Sequence, residues 1–296
     1  MHFVATVELG PVQESISLFL RPDTLDEALQ ALAHTRATIL AGGTDLFPAV
    51  TTPQLKGPIL DISAITELKG IRTSPDFFHI GARTTWTELL AATLPQGFDG
   101  LRAAAREIGS VQIQNQATIA GNICNASPAA DGAAALLALD AEITLASTKC
   151  TRTLPLAEFI QGNRKTARQP DEILTSIRIP RRWENAASSF LKLGARRYLV
   201  ISIVMVAANL LVGPDRRIRQ ASICIGSCSP KAVRLADLEQ SLIGVTVDPL
   251  ALPTFTDDHF ALLSPIDDIR SSAAYRREAA QTLVRRALAD CACKAI

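Results

Sequence analysis

The chain has 296 residues, enough for two domains of ordinary size around a substantial buried core. Thirty basic residues against 29 acidic ones leave a formal net charge of +1, so no overall field draws the protein to nucleic acid or to an anionic membrane. With 48% apolar and 20% charged residues it reads as a folded globule rather than a disordered chain.

The opening MHFVATVELG lacks a basic region and carries Glu8, which argues against a secretory leader. Thr24-Leu25-Asp26-Glu27 has capping-box spacing, and Leu25, Ala28, Leu29 and Leu32 share one helical face, so a helix is expected to about His34. A short buried strand follows at Ala37–Ala41 and turns at Gly42-Gly43-Thr44-Asp45. Pro58–Ile62 and Phe77–Gly81 read as further strands, with Gly70 in the loop between them. Thr85 to Glu88 again has a cap spacing and begins a helix, and Leu101–Ile108 is another.

From Glu107 to Thr148 the chain has no Lys or Arg. The first half of this segment is small, polar and turn-prone, and Ala133–Leu145 looks like a helix passing into a strand. Leu174–Pro180 is a short strand ending in the basic loop Arg181-Arg182-Trp183. Beyond it, strand-like runs at Ser189–Leu193, Val200–Leu211 and Ala221–Ile225 precede helical patterns at Ala232–Leu242 and Ala273–Ala289, the order of an α+β module. The expected division is 1–182, in two parts of about 1–56 and 57–182, followed by 183–296. The longest apolar stretch, Tyr198 to Val212, is broken by Ser202 and Asn209 and is too short to span a bilayer, so no membrane insertion is expected.

Six cysteines, at 124, 150, 224, 228, 291 and 293, form no CxxC and are expected to be reduced cytoplasmic thiols. With only four scattered His, the chain offers no ligand cluster for an iron–sulfur centre or structural zinc. Cys224 and Cys228 fall where a strand would put them on one face, about 13 Å apart.

Two bends suggest chemistry. One is Ile39-Leu40-Ala41-Gly42-Gly43-Thr44-Asp45-Leu46; the other is Thr118-Ile119-Ala120-Gly121-Asn122, with Asp131 nine residues on. Glycine lets a ligand approach the main chain and permits positive φ, so successive amides can converge on a phosphate without a formal cation. Thr44 and Thr118 would add hydroxyl donors, Asn122 an amide, and Asp131 an acceptor for ribose hydroxyls. A Gly-Gly pair between strand and helix is also an ordinary turn, and Asp131 could simply cap a helix. Neither bend matches GxGxxG or GxxxxGK[ST].

ILAGGTDLFPAV and QNQATIAGNICNASPAADGAAALLALDAEI together resemble the flavoprotein subunit of the molybdenum hydroxylases, the family of xanthine dehydrogenases, aldehyde oxidoreductases and carbon monoxide dehydrogenases. The likeness continues through EILTSIRIP, FLKLGARR, IGSCSPKAVRLADLEQSLIG and DDIRSSAAYRREAAQTLVRRAL, from about Arg21 onward. It implies a vanillyl-alcohol-oxidase (PCMH)-type FAD-binding domain followed by a smaller α+β domain of the CO dehydrogenase flavoprotein C-terminal type. It also implies that Ile39 to Leu46 wrap the FAD diphosphate, that Thr118, Ile119, Ala120, Gly121 and Asn122 form a second wall, and that Asp131 meets the adenosine ribose. Ile108 would lie against the cofactor, Leu174 near the adenine or flavin, and Lys192 at the pyrimidine edge of the isoalloxazine. Where the family usually has glycine in the second bend this chain has Ala120, and Tyr198-Leu199-Val200 stands where the xanthine dehydrogenase branch carries acidic residues.

The implied role is a medium subunit, with no catalytic residue or metal of its own. It would take electrons from the [2Fe-2S] clusters of a small subunit, beside a molybdopterin large subunit, and pass them to an external acceptor. A heterotrimer or a dimer of heterotrimers is the expected assembly. A stand-alone flavin oxidase or reductase of the same fold, and a cofactor-free assembly protein, are the alternatives.

Overall fold

Thr24 begins the first helix as its spacing predicts: its side chain accepts from the Glu27 amide, and the Glu27 carboxylate accepts from the Thr24 amide. The computed structural model describes residues 18–49, 51, 57–248 and 255–295; the expectation resting on Glu8 lies outside the described residues. Strand β1 (Phe19–Leu20), helix α1 (Leu25–Thr35), β2 (Thr38–Leu40) and β3 (Ile59–Asp61) build a small parallel sheet of order β1-β3-β2 under α1. Because β3 pairs with both other strands, this sheet draws on both sides of the 56/57 division. Ala28, Leu29 and Leu32 of α1 are buried in its core together with Leu60, Ile62, Ile65 and Ile173.

The strands β4 (Ile71–Thr73), β5 (Phe77–Gly81), β6 (Glu142–Ala146), β7 (Thr151–Pro155) and β10 (Ile173–Pro180) form a five-stranded antiparallel sheet of order β4-β5-β10-β6-β7. Between β5 and β6 run five helices: α2 (Trp86–Ala91), α3 (Asp99–Glu107), α4 (Val111–Gln116), α5 (Ile119–Asn125) and α6 (Asp131–Ala138). Thr85 caps α2 with a full capping box. Between β7 and β10 lie α7 (Leu156–Phe159) and the hairpin β8 (Ile160–Gly162)–β9 (Lys165–Thr166).

The segment expected to be turn-prone is therefore largely helical. The Ser110 and Thr118 side chains accept from the Ile113 and Gly121 amides, and each such cap satisfies a donor that would otherwise be orphaned at a helix start. Ile119 and Ile123, four residues apart on one face, are both fully buried in the main core.

Beyond the 3₁₀ turn Arg181–Trp183, β11 (Ala187–Leu193), β12 (Val204–Val212), β13 (Ile218–Gly226) and β14 (Val233–Arg234) make a third, antiparallel sheet in sequence order. It is followed by α8 (Ala236–Leu242) and α9 (Ala273–Lys294), the latter running past the expected end at Ala289. Alternation along β12 divides its side chains between two cores. Met205 and Ala207 join Phe190 against the helices of the first part, while Val204, Val206 and Ala208 join α9 residues such as Val284 and Leu288.

The same alternation corrects the expectation for Cys224 and Cys228. The strand ends at Gly226, and Ser227 takes a left-handed φ of 63°. Cys224 consequently lies in the first core and Cys228 in the second. All six cysteines are free thiols. No helix among the described residues is long and apolar enough to cross a membrane.

Candidate functional site

The parallel strand β2 delivers the chain to the first bend at its C-terminal end. Gly42 has no room for a side chain: a Cβ there would lie 2.0 Å from the Gln116 carbonyl oxygen and 3.0 Å from the Ala117 Cα. This close approach sets the bend directly against the residues that precede Thr118, so the two bends adjoin. Gly43 has φ +72°, a conformation that glycine adopts at little cost, and its carbonyl accepts from the Phe47 amide at 3.0 Å. Among the described residues, the main-chain amides of Gly42, Gly43, Thr44, Asp45 and Leu46 donate to no protein acceptor. Buried or partly buried amides without partners require a ligand or water.

The second bend is built differently from the expectation. Thr118 is the N-cap of α5, and the amides that follow are mostly committed. Ile119 N donates to the Thr84 carbonyl at 3.0 Å, Gly121 N to Thr118 Oγ1 at 3.0 Å, and Asn122 N to the Thr118 carbonyl at 3.1 Å. The Ala120 amide donates to no protein acceptor among the described residues. Ala120 is not among the positive-φ residues, so its methyl group adds no backbone strain where the family has glycine. Asn122 Oδ1 is buried without a hydrogen-bond partner, as is the Nε1 of neighbouring Trp86, and an unsatisfied buried polar atom of this kind marks a place for a missing group.

Both bends line one cavity of about 780 Å³, a size typical of cofactor sites. Ile39, Leu40, Ala41, Gly42, Gly43, Thr44, Asp45 and Leu46 face it from one side, and Thr118, Ala120, Gly121 and Asn122 from the other. Ile108 and Leu174 belong to the apolar part of the wall. The residues therefore fit a phosphate-bearing dinucleotide: a tight glycine cradle, a row of undonated amides, and apolar flanks.

Three expected residues stand outside this lining. Ile119 is fully buried in the core. Asp131 and Lys192 instead take each other as partners, with Asp131 Oδ2 2.6 Å from Lys192 Nζ. The other carboxylate oxygen accepts from Ser202 Oγ at 2.7 Å, and Lys192 Nζ also donates to the Glu107 carbonyl at 3.2 Å, next to the lining residue Ile108. Burial pushes the Asp131 carboxyl above its ordinary range, against the opposing pull of Lys192 and Ser202. Asp131 begins α6, but its side chain makes no cap; the N-cap is Ala130.

Sequence reasoning missed several lining residues: Trp86, Ile113, Cys124, Asn125 and the arginines Arg36, Arg164 and Arg168. Trp86 at the helix start signalled by Thr85 was within reach of a pattern argument. Arg36 comes from the end of α1, whereas Arg164 and Arg168 come from the β8–β9 hairpin and the segment just after it, so no single local spacing joins all three.

A family model for the FAD binding domain in molybdopterin dehydrogenase matches residues 12–182, and one for the CO dehydrogenase flavoprotein C-terminal domain matches residues 189–291. The chain is 31% identical over 283 residues to the nicotinate dehydrogenase FAD-subunit of Eubacterium barkeri, covering 92% of this chain and 95% of that one. It is 32% identical over 288 residues to caffeine dehydrogenase subunit beta of Pseudomonas sp. (strain CBB1), with 93% and 94% covered. Among solved structures, a chain of the carbon monoxide dehydrogenase from Hydrogenophaga pseudoflava superposes with a TM-score of 0.83 at 26% identity, covering 93% of this chain and 96% of that chain. Two matched segments in order, relatives matched over almost their whole length, and a glycine-lined cavity in the first segment lead to one conclusion. The chain belongs to the FAD-binding medium subunits of the molybdenum hydroxylase-type dehydrogenases, and it is an oxidoreductase flavoprotein.

Proposed function

We propose that this chain is the electron-transfer subunit of a heteromeric molybdenum hydroxylase, taking electrons from [2Fe-2S] clusters on a partner small subunit and releasing them to an external acceptor. A molybdopterin-bearing large subunit completes the assembly, as a heterotrimer or a dimer of heterotrimers, in the cytoplasm. Names such as "FAD-subunit" and "subunit beta" among the relatives support a role within a larger complex.

The observation that carries the reading is the row of undonated amides from Gly42 to Leu46, set by the Gly42–Gln116 approach against the second bend. In this reading those amides hold the diphosphate of FAD, where each hydrogen bond to a charged acceptor contributes about 1.5–3 kcal/mol. The Thr44 and Thr118 hydroxyls and Asn122 add polar contacts, while Ile108 and Leu174 keep water from the apolar portion. FAD, when bound, supplies chemistry that joins one-electron donors to two-electron acceptors. Lys192, held by Asp131, bonds the Glu107 carbonyl and so steadies the chain beside Ile108.

The chain purified from its host is expected to be yellow and to release FAD on denaturation, and to co-purify with an iron–sulfur and a molybdopterin subunit. A colourless chain that takes up no FAD on titration rejects the cofactor assignment. A homomeric protein with full substrate turnover rejects the assembly.

A further inference from the structure

The cavity wall carries more positive charge than the two bends foretold. Arg36, Arg164 and Arg168 line it, and Asp45 is the single carboxylate that does, a formal excess of two positive charges among the described residues. That excess equals the charge of a fully ionised diphosphate diester.

None of the three arginines sits in an ion pair among the described residues. Of the carboxylates that follow Arg168 in the chain, Asp171 forms no ion pair among the described residues and Glu172 is taken by Arg152 Nε at 2.6 Å. Arg168 donates instead to the main-chain carbonyls of Gln169 at 3.0 Å and Glu172 at 2.8 Å. Arg164 donates to the side-chain oxygen of Asn125, a neutral acceptor at the end of α5. The Arg36 side chain donates to nothing among the described residues. Guanidinium groups gathered on one cavity without a direct ion pair create a positive potential that an anion would answer.

The backbone supplies a second argument. Arg36 has φ 51° and Arg164 has φ 53°, left-handed conformations that glycine adopts at lower cost. Arg36 occupies the C-cap of α1, where its amide bonds the Leu32 carbonyl, a position that commonly ends in glycine. At both turns glycine would serve the backbone better, so what the positions gain from arginine is the side chain.

We propose that Arg36, Arg164 and Arg168, which line the same cavity as the amide row of Gly42 to Leu46, form a cationic clamp on the diphosphate of FAD, and that this clamp makes the site prefer the dinucleotide over riboflavin. The inference rests on the FAD reading above, and it adds side-chain charge to a grip otherwise made of main-chain amides. Arginine suits the task because its planar fork matches two phosphate oxygens at once.

The test compares the deflavinated full-length chain with Arg36→Gly, Arg164→Gly, Arg168→Gln and Arg168→Lys, titrating each with FAD and with riboflavin and recording the Tm of the apo form. The expected result is an FAD Kd raised about tenfold in each of the first three variants, the loss of one charge-assisted contact. Riboflavin binding stays unchanged, and Arg168→Lys recovers part of the affinity. The two glycine variants keep or raise the apo Tm, because they relax left-handed turns. A wild-type chain that binds no FAD fails the cofactor reading itself. Wild-type binding with all three variants within twofold of it overturns the clamp alone, as does an equal fall in riboflavin and FAD affinity.

Discussion

Lys192 Nζ lies 2.6 Å from Asp131 Oδ2, and both side chains are only 6% exposed. The pair ties β11 of the third sheet to the first residue of α6. Ser202, just ahead of β12, closes the arrangement on the other carboxylate oxygen. Either ion would be costly to bury alone, and the pairing offsets part of that cost.

Lys192→Met leaves the Asp131 carboxylate buried with one hydroxyl partner, and the expected loss of stability is about 3–5 kcal/mol at neutral pH. Burial already raises this carboxyl, and the substitution removes the charge that opposes the rise. A carboxyl raised in the folded state binds its proton more tightly there than in the unfolded chain. The penalty is therefore absent at pH values below the ordinary aspartate range and grows as pH rises through that range toward the raised value. Urea unfolding of the variant over pH checks this, and a penalty independent of pH contradicts it. Adding Asp131→Asn should recover part of the loss.

Gly42→Ala is expected to empty the site and to destabilise the fold by about 1–3 kcal/mol, since its Cβ has nowhere to go beside the Gln116 carbonyl. Flavin content per chain and the thermal midpoint report both effects. A variant that keeps full flavin content and wild-type stability would contradict the close approach of the two bends.

Asp268 responds to acid in the opposite sense to Asp131. The Arg270 amide bond, followed by the guanidinium groups of Arg276 and Arg270, outweighs burial and holds its carboxyl down to about 2, from an ordinary 3.8. A depressed carboxyl stabilises the fold fully above its unfolded value, and that contribution is lost as pH falls through the folded one. Asp268→Asn should therefore be less stable than wild type at neutral pH, with the gap closing between about 3.8 and about 2. Tm measured for both proteins across that window checks it.

Asp140 accepts from Arg182 Nη2, Trp183 Nε1 and Arg234 Nη1, each at 2.7 Å. Arg234 comes from β14 and also pairs with Glu239 at 2.6 Å. Burial would raise the Asp140 carboxyl, but these donors prevail and lower it. Arg234→Met is expected to reduce stability by about 2 kcal/mol, below the range for fully buried pairs because both partners are about a quarter exposed. Chemical denaturation at neutral pH measures it, and a change under half that size would show the node to be dispensable.

Local signals located much of this architecture. The capping boxes at Thr24 and Thr85 and the strand Phe77–Gly81 stand where spacing put them. The Gly42-Gly43 bend was legible because a residue without a side chain between a strand and a turn has few other uses. What stayed hidden depends on partners distant along the chain. The helices α4 and α5 are too short and polar to be recognised by periodicity, and they form because their caps and the surrounding core hold them. Asp131 and Lys192 stand 61 residues apart, so their pairing is a property of the packed sheet and not of any motif. The cavity arginines were hidden for the same reason, since Arg36 at the end of α1 meets Arg164 and Arg168 of a distant hairpin segment only in the folded chain.

Every residue of α6 is buried, and its last carbonyl, on Ala138, accepts from Asn209 at 2.7 Å and Ser222 at 2.6 Å in the third sheet. This helix is thus upholstered by pieces drawn from before and after it in the chain, α3 and α5 from one part and β12 and β13 from the other. Severing the chain near Trp183 would strip one flank of an almost wholly aliphatic rod, and neither fragment would remain intact. The flavin-carrying half is not a portable cassette: engineers wishing to transplant it must move the whole polypeptide.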